Sequence, residues 1–185
     1  WVAGKPVALV QLAVPGHCVL LRVHTSLLAE NPQPPPMPPS LHSLLSDKAI
    51  IKAGVGIAHD LKLIREQLGV HASGVLDLQM IAAREGIMHA GLQRLTAEVL
   101  GLHLDKRPEL RCGNWEAPTL SDSQVVYAAM DAHVAIDIFK SMYRVYVSAR
   151  GTAALDAISW CATLVDCDSA KGRSRKQQPQ AGTSN

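Results

Sequence analysis

The strongest constraint on the fold is an alternation of strand-length apolar runs with helical segments, preceded by one hairpin. Two apolar runs come first, at 7–14 ("VALVQLAV") and 18–23 ("CVLLRV"), and the "PGH" between them is typical of a tight turn. A buried strand at 49–57 then leads into a helix at 59–69 that ends in a glycine, and 74–79 reads as the next strand. Short helices are expected at 40–48, 78–85 and 91–101. This order predicts an α/β domain with a mixed sheet.

Composition sets few further limits. With 185 residues and 48% hydrophobic content, the chain is able to bury one core. Its net charge of +2 argues neither for nor against nucleic acid. The four cysteines, at 18, 112, 161 and 167, lack C-x-x-C spacing, which favours a reduced intracellular compartment without excluding a disulfide. No apolar run has the length of a membrane span, and no signal-peptide pattern is present.

Two segments differ from the rest of the chain. The segment 31–40, "NPQPPPMPPS", is too rich in proline for a helix or an interior strand and is expected to form a surface insertion. A passive loop is favoured there over a docking site for a proline-binding domain. Residues 147–168 have enough apolar character for a short helical extension, and residues 169–185 are polar, basic and expected to be disordered. A solvated tail is favoured over a phosphate-binding or import segment.

The segment 120–139 predicts a helix that carries two chemically active groups. Ser121 and Gln124 have the spacing of a capping box. Apolar residues then recur at intervals of three and four, at Val125, Ala128, Ala129, Ala132, Ile136 and Phe139, and predict the packed face. Tyr127 and Asp131 are four residues apart, so both project into the same space. Y-x-x-x-D is a weak pattern, and the spacing alone favours a solvated aspartate beside a half-buried tyrosine.

The segment "KAGVGIAHD" (52–60) contains a second candidate acid. Gly54 and Gly56 allow the backbone to pass close to another group, and Asp60 follows where the strand gives way to a helix. In isolation, this stretch favours a carboxylate that is stabilised by the helix dipole and binds no ligand.

In combination, these segments resemble one family. "KAGVGIAHD", "VLDLQ" and "LDKRPELRCGNWEAPTLSDSQVVYAAMDAH" are similar to the second and third motifs of the DEDDy 3′-5′ exonucleases, a superfamily that includes ribonuclease D and the Werner exonuclease domain. "LDK", "LRCGNW" and "YAAMDA" resemble the branch called exonuclease 3′-5′ domain-containing protein 2. The resemblance spans residues 1–146, excluding the insertion at 31–40. It implies a ribonuclease H-like mixed sheet flanked by helices.

The resemblance also implies a chemistry. Enzymes of this family remove nucleotides from a 3′ end of DNA or RNA with two divalent cations, Mg²⁺ or Mn²⁺, held by oxygen ligands. By motif, Asp131 is expected to bind the first metal directly, and Asp60 to support the second, commonly through a water. Tyr127 is expected to orient the nucleophilic water. The three side chains are therefore expected to converge on one cleft.

One motif of the family is not matched within residues 1–185. The first motif is D-x-E, commonly followed by tryptophan, and Trp1 resembles that tryptophan. On this interpretation the chain is a fragment that lacks two of the four acids and the first central strand of the sheet. We therefore expect the 185-residue polypeptide alone to be inactive.

Other polar residues have simpler explanations. His59 is expected to face solvent rather than substrate, and Asp77 to cap a helix rather than to support the metal site. Trp115 is expected to pack on the core rather than on a base, and Cys112 to be structural.

Three functional classes remain. The leading one is a metal-dependent 3′-5′ exonuclease. The alternative is a catalytically silent nucleic-acid-binding or scaffold module with the same fold, and the third is a partner-binding protein that uses the proline-rich segment. The sequence leaves open DNA or RNA, Mg²⁺ or Mn²⁺, the oligomeric state, and nucleus or mitochondrion.

Overall fold

Strands and helices alternate in the expected order in the structure, a computed structural model that describes residues 7–23 and 37–150. The elements are β1 (Leu9–Val14), β2 (His17–Arg22), α1 (Pro39–Ser46), β3 (Lys52–Gly54), α2 (Ala58–Leu68), β4 (Val75–Asp77), α3 (Leu78–Arg84), α4 (Leu92–Leu100), α5 (Pro108–Arg111) and α6 (Asp122–Arg150). The basic tail and most of the proline-rich segment and helical extension lie outside the described residues.

The first two strands form the expected hairpin. β1 and β2 pair antiparallel from Leu9 opposite Arg22 to Val14 opposite His17. The turn contains Gly16 at a φ of 81°, a left-handed conformation that glycine adopts without steric cost. The Arg22 guanidinium donates to the carbonyl oxygens of Ala117 and Pro118, so β2 is joined to the loop before α6.

The second sheet is parallel and shorter than expected. β3 and β4 pair from Lys52 opposite Val75 to Gly54 opposite Asp77. The predicted strand 49–57 is reduced to three residues because β4 offers a partner to these three only. Within the described ranges, β1 and β3 do not pair with each other. The antiparallel and parallel pairs of a mixed sheet are therefore both present, as two separate two-stranded sheets.

The long helix α6 joins the two sheets. It packs against β1, β2 and β3 and against α3, α4 and α5. The buried core consists of Leu76, Leu78, Ile81, Ala82, Ala90, Leu95, Ala135, Ile138 and Met142. The predicted packed face of α6 is partly wrong, because Val125 is 41% exposed whereas Ala135, Ile138 and Met142 are buried. The first turn of α6 is attached to a polar loop, where Gln124 Nε2 donates to the Asn114 carbonyl, instead of to the core.

Local signals set most helix ends. Ser121 and Gln124 form the predicted capping box, in which each residue's side-chain oxygen accepts the other's backbone amide, at 3.0 and 3.3 Å. α2 ends at Gly69 in the left-handed conformation, as predicted. α1 begins at Pro39, inside the segment expected to exclude helix, because proline is tolerated at the first helical position. None of the helices in the described residues is both long enough and apolar enough to cross a membrane.

Candidate active site

Helix α6 places Tyr127 and Asp131 in one polar site. Both side chains are half-buried, and both contact the same ammonium group, that of Lys106. Ala128, between them in sequence, is 1% exposed, so the helix approaches the body of the protein closely at this turn. The spacing of four residues predicted that the phenol and the carboxylate are neighbours, and their common partner shows that they are.

Lys106 is the centre of this site. It lies in the segment between α4 and α5, and its Nζ donates to Asp131 Oδ1 at 2.6 Å and to Oδ2 at 2.7 Å. The same nitrogen donates to Tyr127 Oη at 3.1 Å and lies 4.9 Å from the centre of the tyrosine ring. Charge-assisted hydrogen bonds of this length are among the stronger ones in proteins. The ammonium therefore fixes the carboxylate and the phenol relative to each other.

Trp115 forms one side of the site. Its ring centre lies 6.1 Å from that of Tyr127, with an angle of 44° between the ring planes. Its Nε1 donates to the Arg111 carbonyl at 3.4 Å, and the side chain is half-buried. The sequence predicted packing on the core. The tryptophan instead packs beside the candidate catalytic tyrosine, because the loop that carries it is anchored to the first turn of α6.

Asp60 lies in the first turn of α2 and has a different set of neighbours. Burial raises the pKa of its carboxyl above the ordinary value, the His59 charge opposes this, and the Asp77 charge adds to it. His59 itself is exposed, as predicted. The charges that act on Asp60 are those of His59 and Asp77. Tyr127 and Asp131 instead share hydrogen bonds with Lys106. The convergence of all three candidate residues on one cleft stays a prediction.

Asp77 holds the loop that leads to Asp60. Its Oδ1 accepts from the amides of Gly56 and Gln79, both at 2.9 Å, and its Oδ2 accepts from the Ile57 amide at 3.2 Å. The bond to Gln79 caps the N-terminus of α3, so the prediction of a helix cap is confirmed. The other two bonds connect the end of β4 to the start of α2. Asp77 therefore positions the segment on which Asp60 lies.

The oxygen ligands of the site suit a cation. Both oxygens of Asp131 converge on one positive group, and carboxylates are the ligands that Mg²⁺ and Mn²⁺ prefer. The ligand type therefore fits a divalent metal at Asp131. The number of ligands is smaller than a complete site needs, since the described residues contain no cluster of three or more His, Cys, Asp and Glu side chains able to hold a metal. Cys112 is exposed with a free thiol and takes no part in the site.

Comparison with known proteins assigns the chain to a family. A sequence model described as 3′-5′ exonuclease matches residues 3–146, which is more than half of the chain. The chain belongs to the 3′-5′ exonuclease family. The segments around Asp60, Tyr127 and Asp131 all lie within the matched residues.

Individual relatives agree with this family. The human exonuclease 3′-5′ domain-containing protein 2 is 34% identical over 171 residues, which cover 89% of this chain and 27% of that protein. The chain thus spans about a quarter of the length of this curated relative. The solved EXO domain of Aedes aegypti Nibbler matches with a TM-score of 0.68 at 20% identity, over 89% of this chain and 80% of that one, and supports the ribonuclease H-like fold.

A solved structure of the EXD2 exonuclease domain soaked in Mn and Mg is also similar. It is 30% identical and covers 82% of this chain and 80% of its own, with a TM-score of 0.39.

Lys106 is the member of the site that sequence reasoning missed. Its "LDK" segment contributed to the family resemblance, but no role was assigned to the lysine. Lys106 and Arg107 are adjacent cations, and no local pattern separates the one that reaches Asp131 from the one that pairs with Asp105 at the surface. The available signal was its position in the block of residues that also contains Tyr127 and Asp131.

Proposed function

We propose that this domain is a metal-dependent 3′-5′ exonuclease that hydrolyses phosphodiester bonds at the 3′ ends of DNA or RNA. Membership of the 3′-5′ exonuclease family supports the class of reaction. The observation that carries the proposal is the site on α6, where Tyr127 and Asp131 share one cation in a partly buried position.

Asp131 and Asp60 are the residues that would hold Mg²⁺ or Mn²⁺. When bound, such cations stabilise the charge on the attacking and leaving oxygens of the phosphodiester. The convergence of both Asp131 oxygens on one positive group supports this role. For Asp60 the support is its partly buried carboxyl at the start of α2.

Tyr127 is proposed to orient the water that attacks the phosphate. Its Oη already accepts a hydrogen bond from Lys106 Nζ at 3.1 Å. Because a phenol has one proton and that oxygen is an acceptor here, the proton remains available to donate to a further group. Trp115, beside the ring, restricts where the phenol points. We assign to this proton the hydrogen bond that holds the water.

The number of acids bears on the activity of the 185-residue polypeptide. The family resemblance assigns two metal-binding carboxylates within it, Asp60 and Asp131, of the four that the family uses. Fewer carboxylates bind hard cations less tightly. We therefore propose that residues 1–185 alone are inactive and that activity requires a D-x-E segment joined ahead of them.

A silent nucleic-acid-binding or scaffold module is the second candidate. It is favoured because the Lys106 ammonium already bonds to both carboxylate oxygens of Asp131. The lack of a cluster of three metal-binding side chains among the described residues also favours it. The activity assay distinguishes the two candidates.

The test is an assay on residues 1–185 preceded by a segment that carries the D-x-E motif of the family. A substrate labelled at its 5′ end is expected to shorten stepwise from the 3′ end with Mg²⁺ or Mn²⁺ and to remain intact in EDTA. Asp131→Ala is expected to abolish the reaction, and Tyr127→Phe to slow it by about 10² because an oriented proton is lost. Asp137→Ala is the control, an exposed acid on the same helix that is expected to keep full activity.

Turnover that is unchanged in Asp131→Ala would overturn the metal-ligand role of Asp131. Nucleic-acid binding without turnover in the unsubstituted protein would favour the silent module instead.

A further inference from the structure

Lys106 meets the Asp131 carboxylate in the way a bound cation would. One nitrogen lies between the two oxygens, at 2.6 and 2.7 Å, and so uses both of the atoms that a divalent ion would need. An ammonium that bonds to a single oxygen would leave the other free for a second cation. In this geometry the ammonium bonds to both oxygens and places its positive charge between them.

Burial makes this ion pair different from those on the surface. The side chains of Lys106 and Asp131 are 20% and 16% exposed, whereas those of Lys62 and Glu66, 3.9 Å apart on α2, are 58% and 48% exposed. Exposed pairs contribute little because water and salt screen them. A partly desolvated pair is screened less by water and salt, so the attraction between Lys106 and Asp131 is stronger.

Tyr127 restricts the ammonium further. Its hydroxyl accepts the third hydrogen bond of Lys106, and its ring lies 4.9 Å from Nζ, a distance that permits a cation–π interaction. The three donors of the ammonium are thus directed at the two oxygens of Asp131 and at the phenol. The lysine occupies a defined position instead of sampling many rotamers.

We infer that Lys106 is a resident cation that holds Asp131 and Tyr127 in place and that must leave the carboxylate before a divalent metal binds there. This inference rests on the proposed role of Asp131 as a metal ligand. Lys106 is thus a positioning residue whose release sets how tightly the metal binds. A divalent cation on the same two oxygens would lie close to the ammonium, and the two positive charges would repel each other.

The test measures Mn²⁺ binding to the 185-residue chain, by the electron paramagnetic resonance signal of free Mn²⁺. Replacing the ammonium by a neutral side chain in Lys106→Met is expected to tighten Mn²⁺ binding by about tenfold or more, since the positive charge and its two hydrogen bonds to Asp131 no longer compete. Lys106→Arg keeps the charge and offers a fork that matches a carboxylate, so its binding is expected to be no tighter than that of the unsubstituted chain. Lys62→Met is the matched control and is expected to change nothing.

Asp131→Asn separates the two proposals. If it leaves Mn²⁺ binding unchanged, Asp131 is not a metal ligand and the proposed function fails at this residue. If it weakens binding while Lys106→Met binds Mn²⁺ no more tightly than the unsubstituted chain, the competition alone is overturned. Lys106→Gln, like Lys106→Met, is expected to bind Mn²⁺ more tightly than the unsubstituted chain. Far-UV circular dichroism establishes which of the two variants is folded. If Lys106 had only a structural role, Lys106→Met and Lys106→Gln would both bind Mn²⁺ more weakly than the unsubstituted chain.

Discussion

Asp131 and Asp60, the two acidic side chains of the candidate site, have different surroundings. Asp131 is paired with the Lys106 ammonium through both oxygens. Asp60 is partly buried, and its closest electrostatic neighbours are His59, which favours its charge, and Asp77, which opposes it. A partly desolvated acid beside another acid is costly to keep ionised, and such an arrangement is common at functional sites.

The first prediction concerns the stability cost of Asp60. Its raised pKa means that the folded protein holds the proton more tightly than the unfolded chain does, so ionisation lowers the free energy of unfolding as pH rises. Asp60→Asn removes this penalty and is expected to raise the melting temperature at pH 7. The gain should shrink as pH falls through the folded pKa and disappear below about 3.9, the ordinary aspartate value.

Asp122→Asn is the control for that measurement. Asp122 is an exposed acid in the first turn of α6, where a negative charge favours the helix. Its replacement is expected to lower stability by about 0.3 to 1 kcal/mol at pH 7, opposite in sign to Asp60→Asn. A loss of stability in Asp60→Asn at pH 7 would contradict the interpretation that burial dominates.

At the scale of elements, the turn before β4 depends on a glycine. Gly74 adopts a φ of 64°, and a β-carbon there would lie 2.7 Å from the Ile50 carbonyl oxygen and 2.9 Å from that of Lys48. Gly69, after α2, has a similar φ of 68° but no atom within 4 Å of that position. The two glycines thus share the same backbone conformation and differ in the space around them.

This pair gives the second prediction. Gly69→Ala is expected to cost about 1 to 2 kcal/mol of unfolding free energy, the penalty of a left-handed conformation for a residue with a β-carbon. Gly74→Ala carries the same penalty together with a clash against two carbonyl oxygens, and is expected to cost about 3 kcal/mol or more. Chemical denaturation of both variants measures the difference. Equal costs would show that the segment at 48–50 moves away from Gly74 without strain.

At the scale of the whole molecule, α6 holds two small sheets together. Each sheet has two strands, and within the described ranges β1 and β3 each pair with one neighbour only. Val14 and Val19 on the hairpin are 59% and 61% exposed. A two-stranded sheet is marginally stable by itself, and an unpaired edge is able to pair with another chain. Stability therefore depends on the packing of both sheets against α6.

The third prediction follows from this architecture. The isolated 185-residue polypeptide is expected to unfold below about 50 °C, and the amides of β1 and β3 are expected to exchange quickly. The same residues preceded by a segment that carries the D-x-E motif of the family should be more stable if that segment adds a strand to an open edge. A cooperative transition above about 50 °C in the monomer, with residues 7–14 and 49–57 protected, would show that the two small sheets suffice.

The sequence by itself determined the features that arise between near neighbours. The capping box of Ser121 and Gln124, the glycine that ends α2 and the shared side of Tyr127 and Asp131 involve residues a few positions apart, and the hairpin follows from its short turn. Their geometry follows from backbone periods and side-chain reach. The resemblance of longer blocks supplied the family and the candidate acids, which composition and spacing alone did not.

Only the tertiary structure decided the contacts that join distant parts of the chain. Lys106 reaches Asp131 across 25 residues, Asp77 accepts the Gly56 amide across 21, and Arg22 reaches Ala117 across 95. Periodicity predicted that α6 has an apolar face, but the rotation that buries Ile138 and exposes Val125 depends on what packs against it. A local pattern fixes which residues share a side of an element. Where that side points, and which cation it meets, depends on the free energy of packing the whole chain.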